Sequence, residues 1–308
     1  MPNQTYELRT LDPVLTTLAQ GYVNRKYVGK ELFPVVEVSK QKGRIPVFGK
    51  SAFVERSTER AMGSNSNRLP QTEFDLLEFE TIERDVEMAV DYLEEEQIQD
   101  FYKYEQYTVS QLIDILELNC EIEAAKIATN PDNYPSDNKI IIDETSSLNL
   151  TYNSTEIIKE AIERVRSSIG VHPNTMIMSY PIYQIINNDI VLQDRFKYAG
   201  ITSLNTKIIS DFFEIPKVKI ATTVFPPDGT SFENVWGNSI ILAFVDDSSP
   251  ELRNEFNPSF GYTLRRRGMP EIDTYYENGG KIKVVRATDN YCLKMTSPQA
   301  GCLILNQI

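Results

Sequence analysis

A single histidine, His172, is the first constraint on any chemistry this chain could perform. It rules out a metal centre built from several imidazoles and leaves one candidate to pair with a Ser or Cys nucleophile. His172 stands in Gly170-Val171-His172-Pro173-Asn174, which reads as a turn entering a strand, so a structural role is expected. No Gly-x-Ser-x-Gly elbow, Cys-x-x-Cys pair or phosphate-binding Gly-Lys-Ser/Thr loop occurs; Gly49, Gly63 and Gly170 stand alone. Carboxylates are plentiful enough that composition does not exclude a glycosidase-like pair. Glu94-Glu95-Glu96, however, suits a helix N-terminus, and Glu83, Asp85 and Glu87 suit the wet face of a strand. Asp246-Asp247 follows a strand and reads as the start of a loop ahead of a metal site. No catalytic residue, cofactor or metal ligand is expected, and the chain reads as non-enzymatic.

The charges point to surfaces instead. The formal net charge is −13, and Glu55–Glu105 carries most of it, with fifteen acidic and five basic residues. The stretch before it is net basic: Lys40, Lys42, Arg44 and Lys50 face only Glu37. Adjacent blocks of opposite sign suit a segment lying against a neighbouring copy, although each charge taken singly fits a solvated surface. Arg265-Arg266-Arg267 is the densest basic cluster. It is too small a patch for nucleic acid in so acidic a chain, and reads as one side of an interface or as a solvated strand end. The candidate inter-subunit residues are therefore Lys40, Lys42, Arg44, Lys50, Arg56, Arg60, Arg68, Glu83, Asp85, Glu87, Arg265, Arg266 and Arg267.

The elements that would position these residues follow from periodicity. Residues 1–34 form an opening arm without sustained period. Two extended legs come next, Arg44–Val54 outgoing and Ile82–Val90 returning, joined through the turn-rich Met62–Asn67. In the returning leg Ile82, Val86, Met88 and Val90 alternate with acidic residues, as in a strand with one dry face. A two-stranded ribbon of this length is marginal alone, so 35–92 is expected to need a partner surface. Apolar residues from Ile98 to Ile127 then recur at spacings of three and four, predicting one long helix that ends at Asn130-Pro131. Lys139–Ile142 is a strand candidate closing the 93–150 region. Residues 151–255 mix helices (154–168 and 182–188) with strands at 175–179, 207–209, 217–223 and 239–245. Residues 256–308 are β-rich, with strands at 262–266, 271–276 and 281–286, a turn at Asn278-Gly279-Gly280 and a closing strand at 302–305. The class is α+β.

No run of residues is apolar enough to span a bilayer, and Met1–Thr5 lacks a signal-peptide pattern, so a cytoplasmic protein is expected. Three scattered cysteines, Cys120, Cys292 and Cys302, read as reduced.

This order resembles the HK97-type major capsid proteins of tailed bacteriophages. The resemblance is carried by Tyr27-Val28-Gly29-Lys30-Glu31-Leu32-Phe33-Pro34 ahead of the ribbon, Val171–Ser179 leading into a helix, and the closing Ala300–Leu305. It implies an HK97-type fold in which 35–92 is the extended loop over a neighbour, 93–150 the spine-helix part of a peripheral domain, 151–255 the axial domain, and 256–308 a return to the peripheral domain. It further implies hexamers and pentamers of an icosahedral virion shell around double-stranded DNA, assembled in a bacterial cytoplasm, with portal and decoration proteins as partners. The arm begins almost at Met1, so a separate scaffolding protein is expected. An encapsulin-type nanocompartment shell shares the fold, and an acidic enzyme or binding module is the alternative from another class.

Overall fold

Alternation of dry and wet residues along 82–91 requires a sheet with one buried face. The computed structural model supplies it, describing residues 10–22, 26–47, 58–67, 75–97, 101–143, 150–189, 192–193, 204–250, 252–253 and 257–307. Along the chain, the strands and helices up to the second sheet are β1 (Thr10–Leu11), α1 (Pro13–Gln20), α2 (Gly29–Leu32), β2 (Val35–Val38), β3 (Lys42–Val47), β4 (Asp75–Glu80), β5 (Ile82–Asp91), α3 (Tyr92–Gln97) and α4 (Phe101–Ala128). There follow β6 (Lys139–Ile142), α5 (Leu150–Ile169), β7 (Thr175–Ser179), α6 (Tyr180–Asn187), α7 (Thr206–Phe213), β8 (Lys217–Ala221), β9 (Val224–Phe225), β10 (Glu233–Asn234) and β11 (Ser239–Ala243). The chain closes with β12 (Gly261–Arg266), β13 (Glu271–Glu277), β14 (Ile282–Met295) and β15 (Gly301–Asn306).

The first sheet is organised around β14. On one side β14 pairs antiparallel with β5, Ile282 opposite Asp91 through Tyr291 opposite Ile82. On the other it pairs with β13 and then β12, which lie end to end. Outside these, β1 adds to β13 and β2 runs parallel to β12. The returning leg expected in the ribbon is thus mostly a strand of this sheet, and its partner surface lies in its own chain. The ribbon proper is β3 with β4, six residues a side. Periodicity reported a half-dry strand correctly, but it carries no information on which strand is the neighbour.

Helix α4, 28 residues and about 42 Å long, crosses the first sheet. Val109, Leu112, Ile113 and Leu116 pack with Leu15 and Ala19 of α1 on Ile272, Val285 and Ala287. One turn further on, Cys120, Ala124 and Ala128 pack against Tyr291, Leu293, Ile241 and Leu303, a core that joins the two sheets.

The second sheet runs β6-β15-β11-β7-β8, with α5, α6 and α7 covering one face through Ile158, Val165, Ile186 and Phe213. Two expectations are corrected here. The closing strand, grouped by sequence with the β-rich return, lies between β6 and β11 in this sheet. Residues 207–209, read as a strand, open helix α7: Asn205 caps it by accepting from the Ile208 N–H, and Ile209 and Phe213 bury one face. A three-residue apolar run fits either element, and the cap with its four-residue spacing decides for helix.

Candidate assembly interface

The ribbon has two unlike faces because paired residues point the same way. Ile45, Leu77 and Phe79 face Tyr262, Leu264 and Cys292 of the first sheet. Gly43 is required there, since a Cβ would lie 2.7 Å from the Phe79 ring. On the outer face Lys42 meets Glu80 at 2.8 Å, and Arg44 donates to Glu78 at 2.8 and 3.0 Å. Both pairs are exposed, so each contributes roughly 0.2–1 kcal/mol. Lys42 and Arg44 therefore spend their charge on their own ribbon in this subunit. Lys40 is exposed at the turn between β2 and β3. Arg60 donates to the Ser64 carbonyl in the exposed 58–67 stretch. Lys50, Arg56 and Arg68 lie outside the described residues.

The arginine cluster divides: Arg265 and Arg266 face opposite ways at the end of β12, and Arg267 lies just beyond it. Arg265 points inward, pairs with Asp289 at 3.0 Å and approaches the Tyr291 ring at 5.8 Å. The same ring carries Arg84 at 4.1 Å, whose guanidinium is held by Glu123. In this subunit Arg265 is thus committed to its own fold, whereas Arg266 is exposed and Arg267 meets Glu37 at 3.4 Å on the surface. Glu83, Asp85 and Glu87 do project from β5 into solvent. Glu87 accepts from the Tyr275 hydroxyl at 2.8 Å, and that bond, with some burial, pushes the phenol up to about 12. The candidates therefore fall into separate places: the ribbon base, the β5 row and the β12 end.

Sequence reading missed the most tightly built polar site. Asp114, Glu117 and Glu121 share one stripe of α4 and hold the incoming chain. Asp114 accepts from the Tyr22 and Tyr27 hydroxyls, and Glu117 pairs with Lys30. Glu121, 2% exposed, accepts from Val28 N–H at 3.0 Å, Gly29 N–H at 2.6 Å and Trp236 Nε1 at 2.7 Å. Burial raises its pKa above the usual carboxylate range, and those three donors with the Lys30 charge offset only part of the rise. A carboxylate flanked by Cys120 and Ala124 on the dry side of a long helix is the signal that could have found it. Asp246, the weak metal candidate, is 8% exposed and accepts from Ser248, Asn257 and Tyr262. His172 is exposed in the turn before β7. Among the described residues, no group of three or more His, Cys, Asp or Glu could hold a metal ion.

No protein-family model matches the chain. Over 300 residues it is 33% identical to the major capsid protein of Burkholderia phage BcepMu, covering 97% of each. The chain belongs to the HK97-fold phage major capsid proteins. Among solved structures, a phage-related protein from Bordetella bronchiseptica is similar at a TM-score of 0.82 and 28% identity, covering 97% of this chain and 98% of that one. The putative capsid protein of an Escherichia coli CFT073 prophage, at 0.55 and 9% identity over 96% and 99%, shares the fold. As a capsid protein of this family, the chain is a structural shell protein that forms a homo-oligomeric assembly. The ribbon, the β5 row and the end of β12 are exposed charged surfaces of the subunit.

Proposed function

We propose that this chain is the non-catalytic major subunit of a tailed-phage head, forming hexamers and pentamers of an icosahedral shell around double-stranded DNA. The observation that carries the reading is the 33% identity, end to end, with the capsid protein of Burkholderia phage BcepMu. In this reading β3–β4 and the residues between them form the extended loop over a neighbour. Helix α4 is the spine of the peripheral part, and the second sheet with its helices is the axial part. The acidic balance suits a container that does not grip its DNA, since sequence-independent binding needs clustered cations. Scaffolding, portal and decoration proteins are the partners, and the virion, assembled in a bacterial cytoplasm, is the location.

The test is the content of the particles. The chain expressed with its neighbouring genes is to be purified as particles, treated with nuclease and extracted. Nuclease-resistant double-stranded DNA supports the head reading. Particles filled with protein and free of DNA would reassign the chain to a nanocompartment shell of the same fold.

A further inference from the structure

Between α2 and β2 on one side, and β8 and the segment after β11 on the other, lies a cleft of ≈ 490 Å³. That is room for a small molecule. Most of the charge on its walls is already settled. Lys30 meets Glu117, and Arg267 meets Glu37 at 3.4 Å. Asp246 accepts from Ser248, Asn257 and Tyr262, so its oxygens are taken up by its own turn. Glu31 is shared, with Lys219 at 3.0 Å and Lys217 at 3.4 Å both leaning on its one carboxylate. Arg253 is the exception. Half-buried, it makes no ion pair among the described residues. Its guanidinium donates to the Ser248 carbonyl at 2.8 Å and to the Val35 carbonyl at 3.4 Å, and its Nε is buried without a hydrogen-bond partner.

Lys30, Lys217, Lys219, Arg253 and Arg267 thus face Glu31, Glu37, Glu117 and Asp246, a local excess of cations in a chain of net −13. The excess rests on a guanidinium with no counter-ion and on two ammonium groups that share one. A half-buried cation without a counter-ion is costly, and an anion in the cleft removes that cost. We propose that the cleft binds a small oxyanion, a phosphate or a carboxylate-bearing molecule, held by the Arg253 guanidinium and the Lys217 ammonium. The N–H groups that Arg253 does not spend on carbonyls form a planar fork that matches two oxygens of one such group. Lys217 holds the longer of the two contacts to Glu31, so it can turn to the ligand while Lys219 keeps the carboxylate. Arg253 reaches the first residue of β2 in the first sheet, and Lys217 opens β8 in the second, so the bound anion ties the two sheets together. The site lies within one subunit and does not depend on what the chain assembles into.

Equilibrium dialysis of the purified, nuclease-treated full chain against radiolabelled inorganic phosphate, at constant ionic strength, tests the site. The expected result is saturable binding at millimolar phosphate or below. Arg253→Gln is expected to weaken it by about tenfold or more, the loss of a charge-assisted hydrogen bond. Lys217→Gln removes the second cation at a partly exposed position, and is expected to weaken binding while keeping the wild-type circular dichroism; it carries the test where Arg253→Gln lowers stability. Lys40→Gln, exposed at the turn between β2 and β3 and outside the cleft, is expected to bind as wild type. Citrate as competitor separates the two ligand chemistries: displacement of phosphate shows a site for oxyanions in general, and retention shows one selective for phosphate. Phosphate that does not bind saturably, or that binds the Arg253→Gln and Lys217→Gln chains as tightly as wild type, would overturn the assignment.

Discussion

Trp236 and Glu121, 115 residues apart in sequence, are joined by a 2.7 Å hydrogen bond from the indole Nε1 to the buried carboxylate. The other contacts of that carboxylate are the N–H groups of Val28 and Gly29, so α4, the segment entering β2 and the turn before β11 meet at one side chain. Every group it touches is a donor. Glu121→Gln places an amide NH2 among donors and is expected to cost about 1–3 kcal/mol. Trp236 is the sole tryptophan, so a urea titration followed by its fluorescence reads this loss directly. An unchanged midpoint would show that the node carries no stability.

Gly29 lies against the same node. A Cβ there would sit 2.7 Å from Glu121 Oε2 and 2.9 Å from the Ala124 side chain. Gly29→Ala is expected to lower stability by about 1–3 kcal/mol through overpacking, measured by the same titration.

Asp246 supplies a pH-dependent prediction. Burial alone would raise its pKa, but hydrogen bonds from the Ser248 hydroxyl, the Asn257 amide, the Ser248 N–H and the Tyr262 hydroxyl outweigh it and hold the carboxyl below the usual range. A group depressed in the folded state stabilises above its unfolded pKa, about 3.9, and loses that contribution as pH falls through the folded value. Asp246→Asn should therefore cost about 1–3 kcal/mol at neutral pH. The gap to wild type should narrow as the pH is lowered below about 4. Urea denaturation across that range checks both the size and the sign.

The three cysteines are free and buried. Burial pushes the thiols of Cys120 and Cys292 up to about 11 and that of Cys302 up to about 12. Since the thiolate is the reactive form, the native chain is expected to resist a small disulfide reagent at mildly alkaline pH and to release all three thiols on unfolding. Rapid labelling of the folded protein would contradict their placement.

Much of this was legible from spacing. The three-and-four spacing of Val109, Leu112, Ile113, Leu116 and Cys120 gave the long helix, and alternation gave β5 its wet acidic face. What spacing does not carry is the identity of the neighbour. Ile82–Val90 reads the same whether it closes a ribbon or joins β14, and only the register with β14 settles it. Arg265-Arg266-Arg267 reads as one patch, but consecutive strand residues face opposite ways, so Arg265 turns in to Asp289 while Arg266 stays out. In sequence Glu121 is one acid among many, since its importance comes from Val28, Gly29 and Trp236, residues distant along the chain.

The most direct test of the central claim is sedimentation velocity with electron microscopy on two chains, each expressed with its neighbouring genes. One is the wild type and the other lacks residues Ser51–Pro70, a deletion that spares β3 and β4. The shell account predicts closed particles or capsomer rings from the wild type. From the deletion it predicts a folded subunit with unchanged circular dichroism that stays small. A wild-type chain that sediments only as a monomer, or a deletion that assembles as well as wild type, would contradict it.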